Sequence, residues 1–359
     1  MLAGCAVPAP SAEPLGHATY NRQAMRILLV KMSSLGDVIH NLPVVTDVHN
    51  ALANAQIDWV VEEGFADIPA LHPGVARVIP ISLRRWRKAL LARDAWQAMR
   101  DFYAALRSTP YDAVIDTQGL LKSALVARLA RLSGSPGVPP IFRPLRAGFD
   151  FASAREPLAA LFYNCALPVA QGQHAVLRNR QLAAAALGYT VTPQMGEESY
   201  GIVAPPIPAQ SWVAPRAQDN TVLLLTATSR EDKLWPEPHW QDLGCALAAR
   251  GLRCLLPSGN AQEQARAQRL AHLIPGAVAL PLLSLRELAS YCGAARFVVG
   301  VDTGLVHLAA ALGRPTLALF CASNPTLTGV LAGNWAVNLG APGAPPTLAE
   351  VLRSIEAWI

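Results

Sequence analysis

Charge is scarce in this sequence: only 15% of its 359 residues are Asp, Glu, Lys or Arg, and only 6% are aromatic. With 52% hydrophobic residues, the composition excludes an intrinsically disordered chain, because so much apolar burial offsets the entropy of ordering. Long apolar runs are missing as well. The longest uncharged stretch, Pro315 to Ala349, is broken by Pro, Gly and Asn and never offers the roughly 20 consecutive apolar residues of a membrane span. The six cysteines form no CxxC pair and show no metal-ligand spacing, which argues for free thiols in a reducing compartment. Blocks of like charge and zinc-finger, RNP-like or helix-turn-helix signatures are lacking, so nucleic acid is not an expected partner. The histidines are scattered and no DxD pair occurs, so no metal site is expected. No GxGxxG follows the first strand, which counts against a nicotinamide dehydrogenase.

What is present is length for two domains and a lopsided charge. Residues 25–195 carry 18 Lys/Arg against 12 Asp/Glu, whereas residues 196–359 carry 11 against 12. The surplus of the first half suits a phosphorylated ligand or an anionic membrane face. Near the start, Leu2-Ala3-Gly4-Cys5 resembles a lipoprotein cleavage box, but only four residues precede Cys5, too few for a signal segment. Residues 1–24 read as a disordered extension, with folded structure expected from Met25.

From there β-rich runs alternate with amphipathic stretches. Strands are expected at 26–31, 57–61, 78–81 and 113–116, and helices at 37–53, 87–106, 120–132 and 175–187. Residues 134–157, rich in Gly, Pro and Arg, read as a long surface loop. Residues 193–215, rich in Pro, suit a linker. The rhythm then restarts, with strands at 222–226, 252–256, 277–280, 297–301 and 316–320 and helices at 238–250, 261–273, 284–294, 304–312 and 348–358. This alternation predicts an α/β protein with two doubly wound, Rossmann-like domains facing across a cleft. The boundaries are residues 25–195 and 221–359, with the linker at 196–220. Ligands belong at the carboxyl ends of the strands, between the domains.

Four segments there could carry chemistry. Lys31-Met-Ser-Ser-Leu-Gly-Asp37 follows the first strand; Gly36 permits a tight turn, and Asp37 is either a helix cap or a general base at the cleft. Val299-Gly-Val-Asp-Thr-Gly304 ends a strand and opens a helix whose first N–H groups could cradle phosphate. Within it, Asp302 could orient the turn or a sugar hydroxyl, and His307 is either a satisfied core residue or a ligand contact. Thr226-Ala-Thr-Ser-Arg-Glu-Asp-Lys233 sets the hydroxyls of Thr228 and Ser229 beside an ammonium, a set suited to diphosphate. The plain alternative is a surface loop with ion pairs among Arg230, Glu231 and Asp232 and with Trp235 and Trp240 as packing anchors. Glu263, after the Pro257–Asn260 turn, could accept from ribose or simply start a helix. In Arg84-Arg-Trp-Arg-Lys88 four cations surround an indole, either as a solvated helix face or as a site for an anionic substrate.

Together these residues resemble the lipopolysaccharide heptosyltransferases, ADP-heptose-using members of glycosyltransferase family 9 with the two-Rossmann GT-B fold. The matching segments are KMSSLGDVIHNLP (31–43), DWVVEEGFADIP (58–69), RVIPISLRRWRKA (77–89), YDAVIDTQGLLKSA (111–124), AREPLAALFYN (154–164), ATSREDKLWPEPHW (227–240) and FVVGVDTGLVHLAAAL (297–312). The likeness runs from about Met25 to the C-terminus. Its SSxGDVIH start and RRWRK segment favour the first heptosyltransferase of core assembly over the second. The resemblance implies inverting, metal-independent transfer of heptose from ADP-L-glycero-β-D-manno-heptose to the inner Kdo of Kdo2-lipid A, without a cofactor. It further implies a peripheral enzyme on the anionic cytoplasmic surface of the bacterial inner membrane. Asp37 matches the catalytic base. Thr228, Ser229, Lys233, Thr303, Gly304 and His307 match donor-binding positions, with Asp302 on the heptose side, Glu263 at the ribose and Leu283 by the adenine. Ser34, Gly36, Arg84, Arg85, Arg87 and Lys88 fall on the acceptor side. Three features depart from the family pattern: Thr226 replaces a frequent His, Leu283 a frequent Met, and the 134–148 insertion is long. A second heptosyltransferase, or a non-catalytic nucleotide-sugar-binding protein on the same fold, is the alternative.

Overall fold

A computed structural model describes residues 25–88, 92–134, 144–191, 200–207 and 220–359. Two six-stranded sheets, all parallel, account for the two expected halves. The first is built from β1 (Arg26–Val30), β2 (Gln56–Glu62), β3 (Val75–Ile81), β4 (Ala113–Asp116), β5 (Leu145–Phe149) and β6 (Cys165–Leu167), in spatial order 3-2-1-4-5-6. The second contains β7 (Thr221–Leu225), β8 (Arg253–Leu256), β9 (Val278–Ala279), β10 (Phe297–Val301), β11 (Thr316–Phe320) and β12 (Ala336–Gly340), in order 12-11-10-7-8-9. Both are doubly wound, and each reverses its strand order between one central pair, β1/β4 or β7/β10, the place where such sheets hold ligands.

The central strands are continuous aliphatic runs because both of their faces are covered. In β1, Ile27 and Leu29 join a core that continues into the second half, whereas Leu28 and Val30 face an outer layer. That outer layer holds α4 (Leu83–Lys88), α5 (Arg93–Arg107) and α6 (Leu121–Leu129). On the inner side lie α1 (Leu35–Ile39), α2 (Leu42–Ala51), α3 (Asp67–Ala70) and α7 (Ala175–Leu187). The second sheet carries α8 (Glu237–Ala248), α9 (Ala261–Leu273), α10 (Leu285–Ala294), α11 (Gly304–Ala311), a short α12 (Pro325–Thr328) and α13 (Leu348–Ile355). Trp235 and Trp240 are fully buried there, so they are packing anchors. Burial pushes the Cys254 and Cys292 thiols up to about 12, which makes both inert.

Three expectations need correction. The helix expected over 37–53 is two helices, since Pro43 has no N–H to donate back to Ile39 and the chain turns at His40–Asn41. The helix expected over 87–106 is α4 and α5, with residues 89–91 outside the described set. The 134–157 loop contains β5; residues 135–143 are not described. Arg146 disguised this strand, yet its guanidinium is buried and donates to the Ala127 and Ala130 carbonyls at the end of α6. Strands β6 and β12 were also missed. Of the linker, residues 200–207 are described, with Tyr200 buried and its hydroxyl donating to the Leu331 carbonyl. The extension at 1–24 lies outside the described residues.

Candidate active site

The segment after β1 is fixed from several directions before it reaches Asp37. The Gln118 side chain, from the β4 end, accepts from the Met32 N–H at 2.7 Å and donates to the Ser33 carbonyl at 3.0 Å. Asp37 Oδ2 then accepts from both the Ser34 N–H and the Ser34 hydroxyl, at 2.8 and 2.9 Å. The plainer reading of Asp37 as the N-cap is corrected: Ser34 is the N-cap, and Asp37, third residue of α1, reaches back to it as the acidic partner of a capping box. The half-buried carboxylate sits at the β1/β4 reversal point. Beneath it the buried Lys31 ammonium donates to the Thr117 carbonyl at 2.9 Å. Burial lowers the Lys31 pKa, and the carboxylates of Asp37 and Asp116 partly restore it. Asp116 itself accepts from Tyr163 at 2.8 Å and from the Gln118 N–H at 2.8 Å.

Across from Asp37, the ends of β7 and β10 come together. Lys233 Nζ donates to Asp302 Oδ2 at 2.6 Å, and the Ser323 hydroxyl donates to the same oxygen. His307 Nε2 lies 3.7 Å from Asp302 Oδ1, and the Thr228 hydroxyl donates to the Asp302 carbonyl at 3.0 Å. Burial works to raise the Asp302 carboxyl pKa, but the donors His307, Lys233 and Ser323 outweigh it and hold it well below the usual carboxylate range. Thr303 caps α11 only by position, with no side-chain hydrogen bond, and Gly304 is the first residue of the helix. Glu263 joins the Gly259–Asn260 turn through reciprocal bonds, with its carboxylate accepting from the Gly259 N–H and the Asn260 amide. Leu283 lies between β9 and α10, half-buried against the inner core. Ser229 is exposed, and Arg230 pairs with Asp232 on the loop surface.

The two halves meet at these helix starts. A Cβ built on Gly304 would stand 2.5 Å from Leu35 Cγ, and one on Gly36 3.3 Å from His307 Cδ2. Gly304→Ala is therefore expected to force α1 and α11 apart, costing about 1–3 kcal/mol of stability and weakening donor binding. Denaturant midpoints and donor titration check this; unchanged donor affinity would count against the contact. A histidine chain crosses the same seam. His40 Nε2 is 3.2 Å from His307 Nδ1, and the His40 ring packs edge-on against His174, whose Nε2 faces the Gly329 carbonyl at 3.0 Å. These rings do not form a metal cluster: among the described residues no three His, Cys, Asp or Glu are placed to hold an ion.

Burial, reinforced by the neighbouring His307, His174 and Lys31, lowers the His40 pKa well below 6.5. Burial also lowers that of His174, and takes His72 down to about 4. The unfolded chain binds protons that these rings refuse, so their stabilising contribution is complete above pH 6.5 and drains away as pH falls toward 4. Urea midpoints at pH 7.5 and 5.0 should show a clear loss, reduced in His40→Gln.

In the outer layer of the first half, α4 turns Trp86 inward and its cations outward. The Arg84 N–H donates to Glu62 Oε1 at 3.0 Å, and its guanidinium lies over Phe65, 5.6 Å from the ring centre. Arg85 pairs with Glu63 at 3.1 Å, while Arg87 and Lys88 are exposed. Glu62, Glu63, Gly64, Phe65, Arg84, Arg85 and Lys88 line a hollow of about 470 Å³. The sequence reading assigned no role to Gln118, Lys31, His40, His174, Ser323 or Glu62.

Residues 99–351 match glycosyltransferase family 9 (heptosyltransferase). The chain belongs to this family. It is 48% identical over 328 residues to lipopolysaccharide heptosyltransferase 1 of Pseudomonas aeruginosa, covering 89% of this chain and 86% of that one. With the Escherichia coli K12 protein of the same name, identity is 46% over 308 residues, covering 85% and 90%. The solved E. coli heptosyltransferase WaaC with ADP superposes with a TM-score of 0.83 at 41% identity, covering 93% of this chain and all of that one. WaaC with ADP-2-deoxy-2-fluoro heptose gives 0.78 at 42% identity, covering 93% and 99%. The GT-B architecture and the glycosyltransferase class expected from the sequence are thereby shown. The enzyme's helix starts at Leu35 and Gly304, with the Lys233–Asp302 pair beside them, form the core of its candidate site.

Proposed function

We propose that the enzyme is a lipopolysaccharide heptosyltransferase I, moving L-glycero-D-manno-heptose from ADP-heptose to the inner Kdo of Kdo2-lipid A. The observation that carries this reading is the direct abutment of α1, bearing Asp37, on α11, which opens at Thr303–Gly304 beside Lys233. A carboxylate on one half faces phosphate-binding groups on the other, as direct transfer between two substrates requires. The 45–48% identity with proteins named heptosyltransferase 1 supports the acceptor.

The reaction is a single in-line displacement. Capping occupies Asp37 Oδ2, so Oδ1 takes the proton as the acceptor oxygen attacks the anomeric carbon. The bond from that carbon to the β-phosphate oxygen breaks on the opposite face, which inverts the centre, and ADP leaves with the electron pair. Lys233 and the first N–H groups of α11 stabilise its charge, without a metal ion. Thr228 and Ser229 bind the diphosphate, Asp302 and His307 orient the heptose side, Glu263 meets the ribose and Leu283 walls the adenine. Ser34 and Gly36 border the acceptor hydroxyl, and Arg84, Arg85, Arg87 and Lys88 meet acceptor carboxylates and phosphates. No helix among the described residues is long and apolar enough to cross a membrane, and a lipid-anchored acceptor suits peripheral work at the cytoplasmic face of the inner membrane.

The test offers radiolabelled ADP-heptose with either Kdo2-lipid A or an already heptosylated core. Transfer to the first supports the assignment; transfer to the second alone would make the enzyme a heptosyltransferase II. ADP-heptose binding without transfer to either would leave a nucleotide-sugar-binding protein.

A further inference from the structure

The outer helical layer of the first sheet carries a surface that transfer chemistry does not use. On α5, Trp96, Arg100, Tyr103 and Arg107 recur at spacings of four, three and four and so share one stripe. Trp96 is 58% and Tyr103 45% exposed, and the Arg107 guanidinium lies 5.3 Å from the Tyr103 ring centre. Arg107 also donates to the Leu129 carbonyl at 3.0 Å, tying the stripe to α6. There Leu125 and Leu129 are exposed, flanked by exposed Lys122 and Arg128. Beyond α6, the 3-10 turn Pro157–Phe162 packs against that helix and exposes Leu158 and, at 74%, Leu161. Glu156, beside this turn, is engaged with the Leu121 N–H at 2.6 Å. Asp94 and Asp101 lie round the other flank of α5.

We propose that this face of α5, α6 and the 157–162 turn is where the enzyme rests on an anionic phospholipid bilayer. Adjoining exposed apolar side chains on a soluble fold mark a contact surface, and cations interspersed with an indole and a phenol suit the headgroup boundary. A second copy of the chain fits worse, because Arg100, Arg107, Lys122 and Arg128 would meet like charge. Continuity with the acceptor side supports the assignment. Trp86 of α4 packs edge-on against Phe102 of α5 at 5.7 Å, so the same layer runs on into the Arg84–Lys88 cluster. Helix α6 begins just after the β4 end, close to the segment that carries Asp37: Lys122 Nζ lies 3.5 Å from the Ser33 hydroxyl. A lipid whose headgroup reaches round this rim can keep its acyl chains in the bilayer. The proposal rests on the lipid-anchored acceptor proposed above, but its test does not depend on transfer.

The full chain and the variant Trp96→Ser/Leu125→Ser/Leu161→Ser are sedimented with vesicles of phosphatidylglycerol and phosphatidylethanolamine, and with phosphatidylcholine alone. The wild type should partition onto the anionic vesicles and far less onto the neutral ones. The variant should lose at least about tenfold in partitioning, while turnover on deacylated, water-soluble acceptor stays unchanged. Equal partitioning of variant and wild type overturns the assignment, as does a wild type that ignores anionic vesicles. Conversion of a dimer to a monomer by the variant, read by light scattering, would give the face to a second copy instead. Absence of transfer to the soluble acceptor by the wild type would refute the proposed function and leave the vesicle result to stand alone.

Discussion

Asp37→Asn is expected to lower kcat by about 10²–10⁴-fold, the usual contribution of a positioned general base. ADP-heptose affinity should stay within about threefold, since Asn keeps an acceptor oxygen for the capping box and the proposed donor groups lie on the other half. The amide oxygen can still accept from the Ser34 N–H, now 2.8 Å from Asp37 Oδ2, so α1 keeps its cap and its contact with α11. What the variant loses is a basic oxygen for the acceptor proton. Single-turnover rates, with donor binding followed by calorimetry, separate the two effects. Turnover retained at the wild-type level would end the role of Asp37 as base, and loss of donor binding with it would reduce the residue to a cap. Asp37→Ala removes cap and base together, so its stability should fall where that of Asp37→Asn does not.

Asp37, held in a capping box and proposed as the base, illustrates what was legible in the sequence. Local patterns set α7, α9, β10 and β11 at their observed bounds, because each is an uninterrupted aliphatic or amphipathic run closed by a cap or a turn. The short strands β5 and β12 escaped because LRAGF and AVNLG mix Arg, Gly or Asn into five residues, and β6 because CAL is only three residues long. The break between α1 and α2 was visible as Pro43 but was read through. In the site, the strand-end residues Thr228, Lys233, Asp302 and Gly304 could be named from turn chemistry alone. Their partners could not. His40 and His307 are 267 positions apart, and Ser323 reaches Asp302 from the end of another strand. Such meetings follow from how the two sheets oppose their reversal points, which no local pattern contains. The Arg84–Lys88 cluster lies between these cases: its cations were plain in RRWRK, whereas their pairing with Glu62 and Glu63 depends on β2 lying beside β3.

Lys233→Met should raise the apparent KM for ADP-heptose by about 30–150-fold, corresponding to about 2–3 kcal/mol for one lost charge-assisted contact to a phosphate. A second effect should travel with it. In the structure the ammonium also neutralises Asp302, whose carboxylate is buried and receives Ser323 and His307 as well. Removing one partner of a buried pair typically costs about 3–5 kcal/mol, and the two other donors should keep the loss at the lower end. The variant should therefore melt earlier even without donor. Lys233→Met/Asp302→Asn separates the effects: removing the stranded charge should restore much of the stability, while the donor affinity, which depends on the ammonium meeting phosphate, should stay low. Lys233→Arg should rescue binding only in part, because the longer side chain and planar fork place their donors differently from a compact ammonium. If the double variant recovers donor affinity along with stability, Lys233 acts only by holding Asp302 in place, and the leaving diphosphate must be met by the α11 N–H groups alone.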